Sequence, residues 1–393
     1  MHYAVPRVLY ERGMLERLHT DICAPRLLTG ARKLPAALKR LAARRVEGVP
    51  AELVQAFSAF GLMYAMARAA ATAPSAQDAV NLWAGRRFAR LVLGRGFGRA
   101  AAVYAYNSAA KELLAEARRR QLMAILEQTI APREIERRIL RQEQEMFPDW
   151  EQPLESNARA GEFCERERAE WELADVIVCG SSFVRDGIAA CGGPADRCSV
   201  VPYGVEFVPP PAKDSASAAR PLRVLTVGVL GLRKGTPYVL EAARQLRGIA
   251  CFRMAGAAPI SPAALARLRE VVEIAGPVAR SEIRRHYAWA DVFLLPSLCE
   301  GSATVIYEAV ASGLPVVTTP NSGSMIRNKV EGFVVPIRDA RAIVECLARL
   351  AADRDLLDRM SRNARARALD LTLDSYGNRL ATALETAACA RRN

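Results

Sequence analysis

The residues best suited to chemistry gather in LCEGSATVIYEAVASGLPVV, residues 298–317, where Glu300 and Glu308 stand among small and aliphatic side chains. The apolar DVFLLPS before them reads as a buried strand, Glu300-Gly301 as a turn and Ser302 as a cap. Gly313 and Pro315 read as a stop, so the pattern predicts a helix over 303–312. Free amides at that helix start would lie at the carboxyl end of a parallel strand, where open α/β sheets bind ligands and the helix dipole favours anions. This is a seat for phosphate. If the helix ran back to Glu300, the two carboxylates would stand roughly 12 Å apart along its axis. Carboxylate pairs that cleave glycosides stand ~5 to 9.5 Å apart, so a general acid/base dyad is disfavoured. Two ends of one long ligand suit the spacing better, each carboxylate accepting from a vicinal diol with a diphosphate between them. On spacing alone the plainer reading stays open, with Glu308 on an exposed helix face and Glu300 in a loop.

A second polar cluster is VGVLGLRKG, residues 227–235, with Gly228, Gly231, Arg233 and Lys234. The glycines do not follow the dinucleotide fingerprint, and an Arg-Lys pair suits phosphates rather than a ribose diol. Asp353 and Asp355 spell a metal-like pair, yet their setting, ADRDLLDRM, has helical spacing and reads as a solvated face.

Positioning these residues requires a regular frame. From residue 222 the chain alternates apolar strands (LRVLTVGVL, CFRMAG, DVFLLPS, PVVTT, FVVPI) with helical segments of about ten residues or more, which implies a doubly wound parallel sheet. PPPAKDSASAARP, 209–221, reads as linker. Before it, HYAV reads as a short strand, HTDICAP as a second short segment, and AAVYAY as a buried strand. AELVQAFSAFGLMYAMARA and KELLAEARRRQLMAILEQ read as helices, and VIVCG as a strand followed by a helix capped at Ser181 or Ser182. The layout is an N-terminal unit 1–204, a linker 205–221, a C-terminal unit 222–370, and a last helix 371–393 packing back on the first unit.

The 393 residues are 51% hydrophobic and 25% charged, enough for two cores. No apolar run reaches the ~18 residues of a membrane span and the N-terminus lacks a secretory core, so a cytoplasmic location is expected. Nine scattered cysteines and three histidines offer no metal-site spacing. Residues 1–100 hold 16 Lys+Arg against 6 Asp+Glu, whereas 151–200 hold 5 against 10. That bias fits solvated helix faces, or an anionic membrane surface or acceptor; no motif supports a nucleic-acid partner.

PSLCEGSATVIYEAVASGLPVVTTPNSG, with VGVLGLRKG, ELADVIVCGSSFVRD, VVPYGVEF and EGFVVPIRD, resembles the retaining nucleotide-sugar glycosyltransferases of the GT-B fold, family 4 (glycosyl transferases group 1). The likeness covers roughly 165–340. It implies two Rossmann-like domains facing a cleft and transfer of a sugar from a nucleoside diphosphate sugar, UDP or GDP first, with retention. The acceptor would be a glycan, a lipid-linked sugar or a small molecule, as in polysaccharide or glycolipid synthesis. Glu308 would hold the ribose, Glu300 the transferred sugar, and Gly228, Gly301, Ser302, Ala303 and Thr304 the diphosphate and sugar. Arg233 and Lys234 would neutralise the leaving diphosphate, so neither metal nor cofactor is expected. Base selection would fall around Gly276 to Val278.

The first half departs from that family's opening, since a glycine-rich loop is missing beside HYAV. His19, Tyr106, Asn107 and, less directly, Glu127 are its candidates for the acceptor side. A non-catalytic sugar-nucleotide sensor with the same donor half is the alternative.

Overall fold

The computed structural model describes residues 3–23, 44, 46–153, 158–206 and 220–392. Its second half is a six-stranded, all-parallel sheet of β7 (Leu222–Val227), β8 (Ala250–Ala255), β9 (Val272–Gly276), β10 (Val292–Leu295), β11 (Val316–Thr318) and β12 (Gly332–Val334). Their order is β12-β11-β10-β7-β8-β9. Counted within the half this is the 3-2-1-4-5-6 order of a dinucleotide-binding sheet, with its switch point between β7 and β10. β10 is buried at every position, as a strand covered by helices on both faces must be. The expected α/β class and the parallel sheet are both present.

The first half holds β1 (Leu18–Thr20) paired with β2 (Val54–Ala56), and a four-stranded parallel sheet of β3 (Ala102–Tyr106), β4 (Met123–Gln128), β5 (Val176–Cys179) and β6 (Cys198–Val200) in that order. Three readings of this half are corrected. HYAV is not a strand: a helix spans Ala4–Glu11 and buries Ala4, Val5, Val8 and Leu9 on one face, a helical spacing. MAILEQ is β4 and not the end of a helix, because the preceding helix stops at Arg119, Gln121 takes φ 58, and all six strand positions are buried. AELVQA forms a 3-10 turn and β2, which leaves a helix only over Ser58–Ala70. In the second half, PAALARLREVV has helical spacing throughout, but the helix ends at Arg269 and Val272 opens β9.

Of the expected linker, 207–219 lie outside the described residues. At its flanks Val205 N–H donates to the Leu371 carbonyl, 2.9 Å, and bridges Thr372. The helix Leu373–Arg392 then runs against the first helix, where Arg12 Nη2 donates to Asn378 Oδ1 at 2.7 Å.

The two halves also meet through residues 131–151. Ala131, Ile135, Ile139 and Trp150 are buried in one core with Leu230, Tyr238, Leu298 and Val317. The Glu143 carboxylate, fully buried, accepts from the Tyr238 hydroxyl at 2.9 Å and pairs with Arg338. Ser261 N–H donates to the Trp150 carbonyl, 2.8 Å, and Arg267 pairs with Asp149, 2.7 Å.

Candidate functional site

Two loops leave the sheet at its switch point. The first follows β7, where Gly228 has φ 143 and a side chain there would sit 3.1 Å from Lys234 Cε. Gly235, at φ 69, passes so close that a Cβ would lie 2.2 Å from the Pro296 carbonyl of the second loop. Leu298 N–H donates to the Arg233 carbonyl, 2.9 Å, and zips the loops together. These contacts fix the backbone under Arg233 and Lys234.

The second loop, 296–303, leads into the helix Thr304–Ala311. Ser302 was expected to cap that helix and does not. Its hydroxyl bonds Tyr307 Oη at 2.7 Å and donates to the Gly323 carbonyl at 3.1 Å, while Ala303 occupies the cap position without a side-chain bond. The PNSG turn behind the loop does the positioning: the Asn321 carbonyl accepts from Glu300 N–H and the Ser322 carbonyl from Ala303 N–H, each at 3.0 Å.

Glu300, Arg233 and Lys234 come together. Lys234 Nζ lies 2.7 Å from Glu300 Oε1 and Arg233 Nη1 2.9 Å from Oε2, with side-chain exposures of 11% for Lys234, 10% for Glu300 and 31% for Arg233. Arg233 Nη1 also donates to the Cys299 carbonyl, 3.0 Å. Burial pulls the Lys234 pKa below the ordinary lysine value, against the pull of Glu300 and with the like charge of Arg233 adding to it. Two cations share one carboxylate, so the cluster carries a net positive charge at the carboxyl end of the sheet, with the Thr304 helix start beside it. An anion fits there.

Glu308 is half-buried two turns away, and its Oε2 accepts from the Tyr287 hydroxyl at 2.9 Å. Tyr287 is 2% exposed, so the bond is shielded and orients the carboxylate. Val278 is half-buried and packs against the same core as Tyr287.

The first half closes on this loop. Gly301 would clash with the Thr129 carbonyl at 1.8 Å if it carried a Cβ, and its own carbonyl accepts from the Ser181 hydroxyl. Ser181 does cap the helix Ser182–Ala190, accepting from Val184 N–H. From the other side Glu151 accepts from Leu232 N–H at 2.6 Å. Sequence reasoning missed Thr129, Glu151, Asn321 and Tyr287. Only Asn321 lay inside a quoted motif, and the others come from segments far off in the chain.

A cleft of about 2160 Å³ opens over the first half, lined by His19, Tyr106, Asn107, Asp78, Arg133 and, from the second half, Arg280 and Thr304. His19, Tyr106 and Asn107 therefore share one cavity with the start of the helix that holds Glu308. Asn107 Oδ1 accepts from Thr129 N–H and Oγ1, at 3.2 and 2.9 Å, which ties it to the strand end that touches Gly301. His19 stacks on Phe57, ring centroids 6.1 Å apart, and burial followed by Arg17 lowers its pKa to about 4. Glu127 lies beneath this floor, 3% exposed, taking the Tyr104 and Tyr203 hydroxyls at 2.9 and 3.0 Å. Among the described residues no group of three or more His, Cys, Asp or Glu side chains is placed to hold a metal. Asp353 caps the helix Arg354–Ala368, accepting from Leu356 N–H.

Comparison with known proteins bears on the same region. Residues 221–353 match the family of glycosyl transferases group 1. The amylovoran biosynthesis glycosyltransferase AmsK of Erwinia amylovora is 33% identical over 180 residues, 42% of this chain and 44% of that one. A GDP-mannose-dependent alpha-(1-6)-phosphatidylinositol monomannoside mannosyltransferase of Mycobacterium tuberculosis is 30% identical over 211 residues, 46% and 54% of the two chains. The chain thus spans about half the length of the curated relatives it matches. Among solved structures, Anabaena HepE in complex with UDP and glucose superposes with a TM-score of 0.59 over 98% of this chain and 95% of that one, at 16% identity. That likeness, together with the two parallel sheets, establishes the GT-B fold, and the match to the group 1 glycosyl transferases falls within its second half.

Proposed function

We propose, from a group 1 glycosyltransferase domain with its cationic cluster at the switch point, that the protein transfers a sugar from a nucleoside diphosphate sugar to an acceptor hydroxyl. The observation that carries this is the placement of Arg233 and Lys234 against Glu300 at the carboxyl end of the sheet, beside the start of the Thr304–Ala311 helix. Cleavage of the bond between the anomeric carbon and the diphosphate oxygen sends the bonding pair onto the phosphate. Fixed cations and helix amides stabilise that charge most where it is developing, in the transition state. The scheme uses no metal.

In this reading Glu308, oriented by Tyr287, takes the ribose hydroxyls, and the region around Val278 faces the base. Glu300 has both oxygens engaged by Lys234 and Arg233. Donor binding would therefore draw the two cations toward the diphosphate and free the carboxylate for a sugar hydroxyl. Retention follows if the acceptor hydroxyl attacks the face the phosphate is leaving and gives its proton to a phosphate oxygen, a route that needs no separate basic dyad. Tyr106, Asn107 and His19 line the side from which the acceptor would come. The amylovoran and phosphatidylinositol mannoside relatives favour a glycan or glycolipid acceptor, and the basic first hundred residues suit an enzyme working beside an anionic surface.

Calorimetric titration with UDP, GDP, ADP and TDP tests the donor half. One nucleotide should bind in the micromolar range, and Glu308→Ala or Lys234→Ala should abolish its binding. Failure of all four to bind a folded protein would sink the proposal. The matching sugar nucleotide, with product stereochemistry read by NMR, then tests transfer and retention.

A further inference from the structure

The helix Ser58–Ala70, SAFGLMYAMARAA, carries one charged residue, Arg68, yet much of it faces solvent. Leu62 and Met63 are each 46% exposed and Met66 65%, with exposed Ala59, Ala69 and Ala70 continuing the same side. A surface helix of a soluble protein presents charges outward, and a contiguous apolar face marks an interaction surface. The antiparallel neighbour, Pro74–Arg95, extends the patch: Trp83, 38% exposed, has its ring 6.0 Å from that of Phe60. Arg87 and Arg90 follow Trp83 on one exposed face at spacings of four and three, and neither is ion-paired to another described residue.

An apolar strip of Leu, Met and Trp rimmed by exposed arginines has the chemistry of a surface that sinks its side chains among acyl chains and leaves its guanidinium groups at anionic headgroups. Within 58–95 the charged residues are Arg68, Arg86, Arg87, Arg90 and Arg95 against Asp78, which is buried and bound to Arg133. The opposite side of the Ser58–Ala70 helix matters equally: Phe60, Tyr64 and Arg68, four residues apart in turn, line the cleft that reaches Thr304. One helix thus separates the open apolar face from the acceptor cavity.

We infer that the helical pair 58–95 docks on an anionic lipid bilayer through Leu62, Met63, Met66 and Trp83 with Arg87 and Arg90, and so presents a lipid-anchored acceptor to the cleft. The presentation rests on the transferase reading; the docking does not.

The full-length protein is sedimented with vesicles of phosphatidylcholine alone and with one-third phosphatidylglycerol. Binding should require the anionic lipid and weaken as salt rises. Met63→Glu with Met66→Glu, and separately Arg87→Glu with Arg90→Glu, should each lower partitioning at least about tenfold. Nucleotide titration of the same variants should be unchanged, which shows that they fold and keeps this test apart from that of the donor site. Absence of binding to anionic vesicles, or binding equal in the variants, overturns the inference. So does a concentration-dependent dimer abolished by the Met63→Glu, Met66→Glu variant, since the face would then belong to a second copy.

Discussion

The two halves of this molecule solve the same architectural problem, a parallel sheet with covering helices, under different constraints. In the second half, glycines stand where side chains cannot go: Gly235 and Gly301 each sit within clash distance of another loop's backbone, and Gly228 leaves room for the Lys234 side chain. Those requirements come from distant backbone but leave local marks. The first half is assembled by distant side chains. Glu170 holds the start of the helix Lys111–Arg119 by accepting from Ser108, Ala110 and Lys111 N–H groups about sixty residues earlier, at 2.8 to 3.1 Å. The lesson is that the second half marks its loops in the sequence with glycines at fixed places, whereas the first half is held by buried carboxylates that no nearby motif announces.

If that division is right, the largest losses come from the loops at the switch point. Lys234→Ala should reduce turnover by about 10²-fold or more, the scale of removing one fixed stabiliser of a developing charge. Gly301→Ala should do comparable damage by another route, because its Cβ would lie 1.8 Å from the Thr129 carbonyl and must push the halves apart. Steady-state kinetics on both, with circular dichroism as the folding check, decides the matter. Wild-type turnover in Gly301→Ala would show that closure on Thr129 has no part in catalysis.

A smaller effect tests whether the halves are separate at all. Glu143 belongs to the first half by chain position, yet its buried carboxylate pairs with Arg338 and Tyr238 of the second. Glu143→Ala leaves Arg338 without that partner in a site where its side chain is only 27% exposed. The expected cost is about 3 kcal/mol, with urea denaturation splitting toward two transitions. A single unshifted transition would mean that the apolar contacts of Ile135, Ile139 and Trp150 carry the junction without it.

The same asymmetry explains what was legible in the sequence. Glu300, Glu308, Arg233 and Lys234 announce themselves by motif, and the structure places three of them within one cluster. The strand Met123–Gln128 was hidden because KELLAEARRRQLMAILEQ keeps apolar residues at helical spacing, and only the left-handed turn at Gln121 ends the helix. Tyr287 and Glu151 were beyond reach: nothing near either residue in the chain records that one orients Glu308 and the other caps Leu232. Thr129 was equally mute, since its role exists only once β4 ends against Gly301.

Glu127 extends the comparison to pH. Its site is built from three elements, with Tyr104 and Tyr203 donating to it and Tyr376 packed against Tyr203, ring centroids 6.0 Å apart. Burial, opposed by the two hydroxyl bonds, raises its pKa to about 7 from 4.5. A carboxyl whose folded pKa is raised stabilises the fold fully below the unfolded value, and that stabilisation is lost as pH rises from 4.5 through about 7. The swing is up to about 3 kcal/mol. Thermal unfolding should show stability declining over that window, and Glu127→Gln should flatten the decline. A flat wild-type profile would mean that Glu127 keeps its ordinary pKa.

The smallest expected effect falls on His19, the one histidine among the described residues of the first half. Its imidazole is stacked on Phe57, and with its pKa lowered to about 4 it is neutral at pH 7. A neutral ring brings no charge to a leaving phosphate, and its Nδ1 is buried away from the cleft. His19→Ala should therefore leave nucleotide binding unchanged and alter kcat by less than about threefold, with any larger change confined to KM for the acceptor. Because a histidine with a depressed folded pKa resists protonation, its contribution to stability is present above pH 6.5 and is lost as pH falls toward 4. NMR titration should place the midpoint of His19 near 4. A kcat loss of tenfold or more with donor binding intact would move part of the reacting centre into the first half and erase the division between a chemical side and a presenting side.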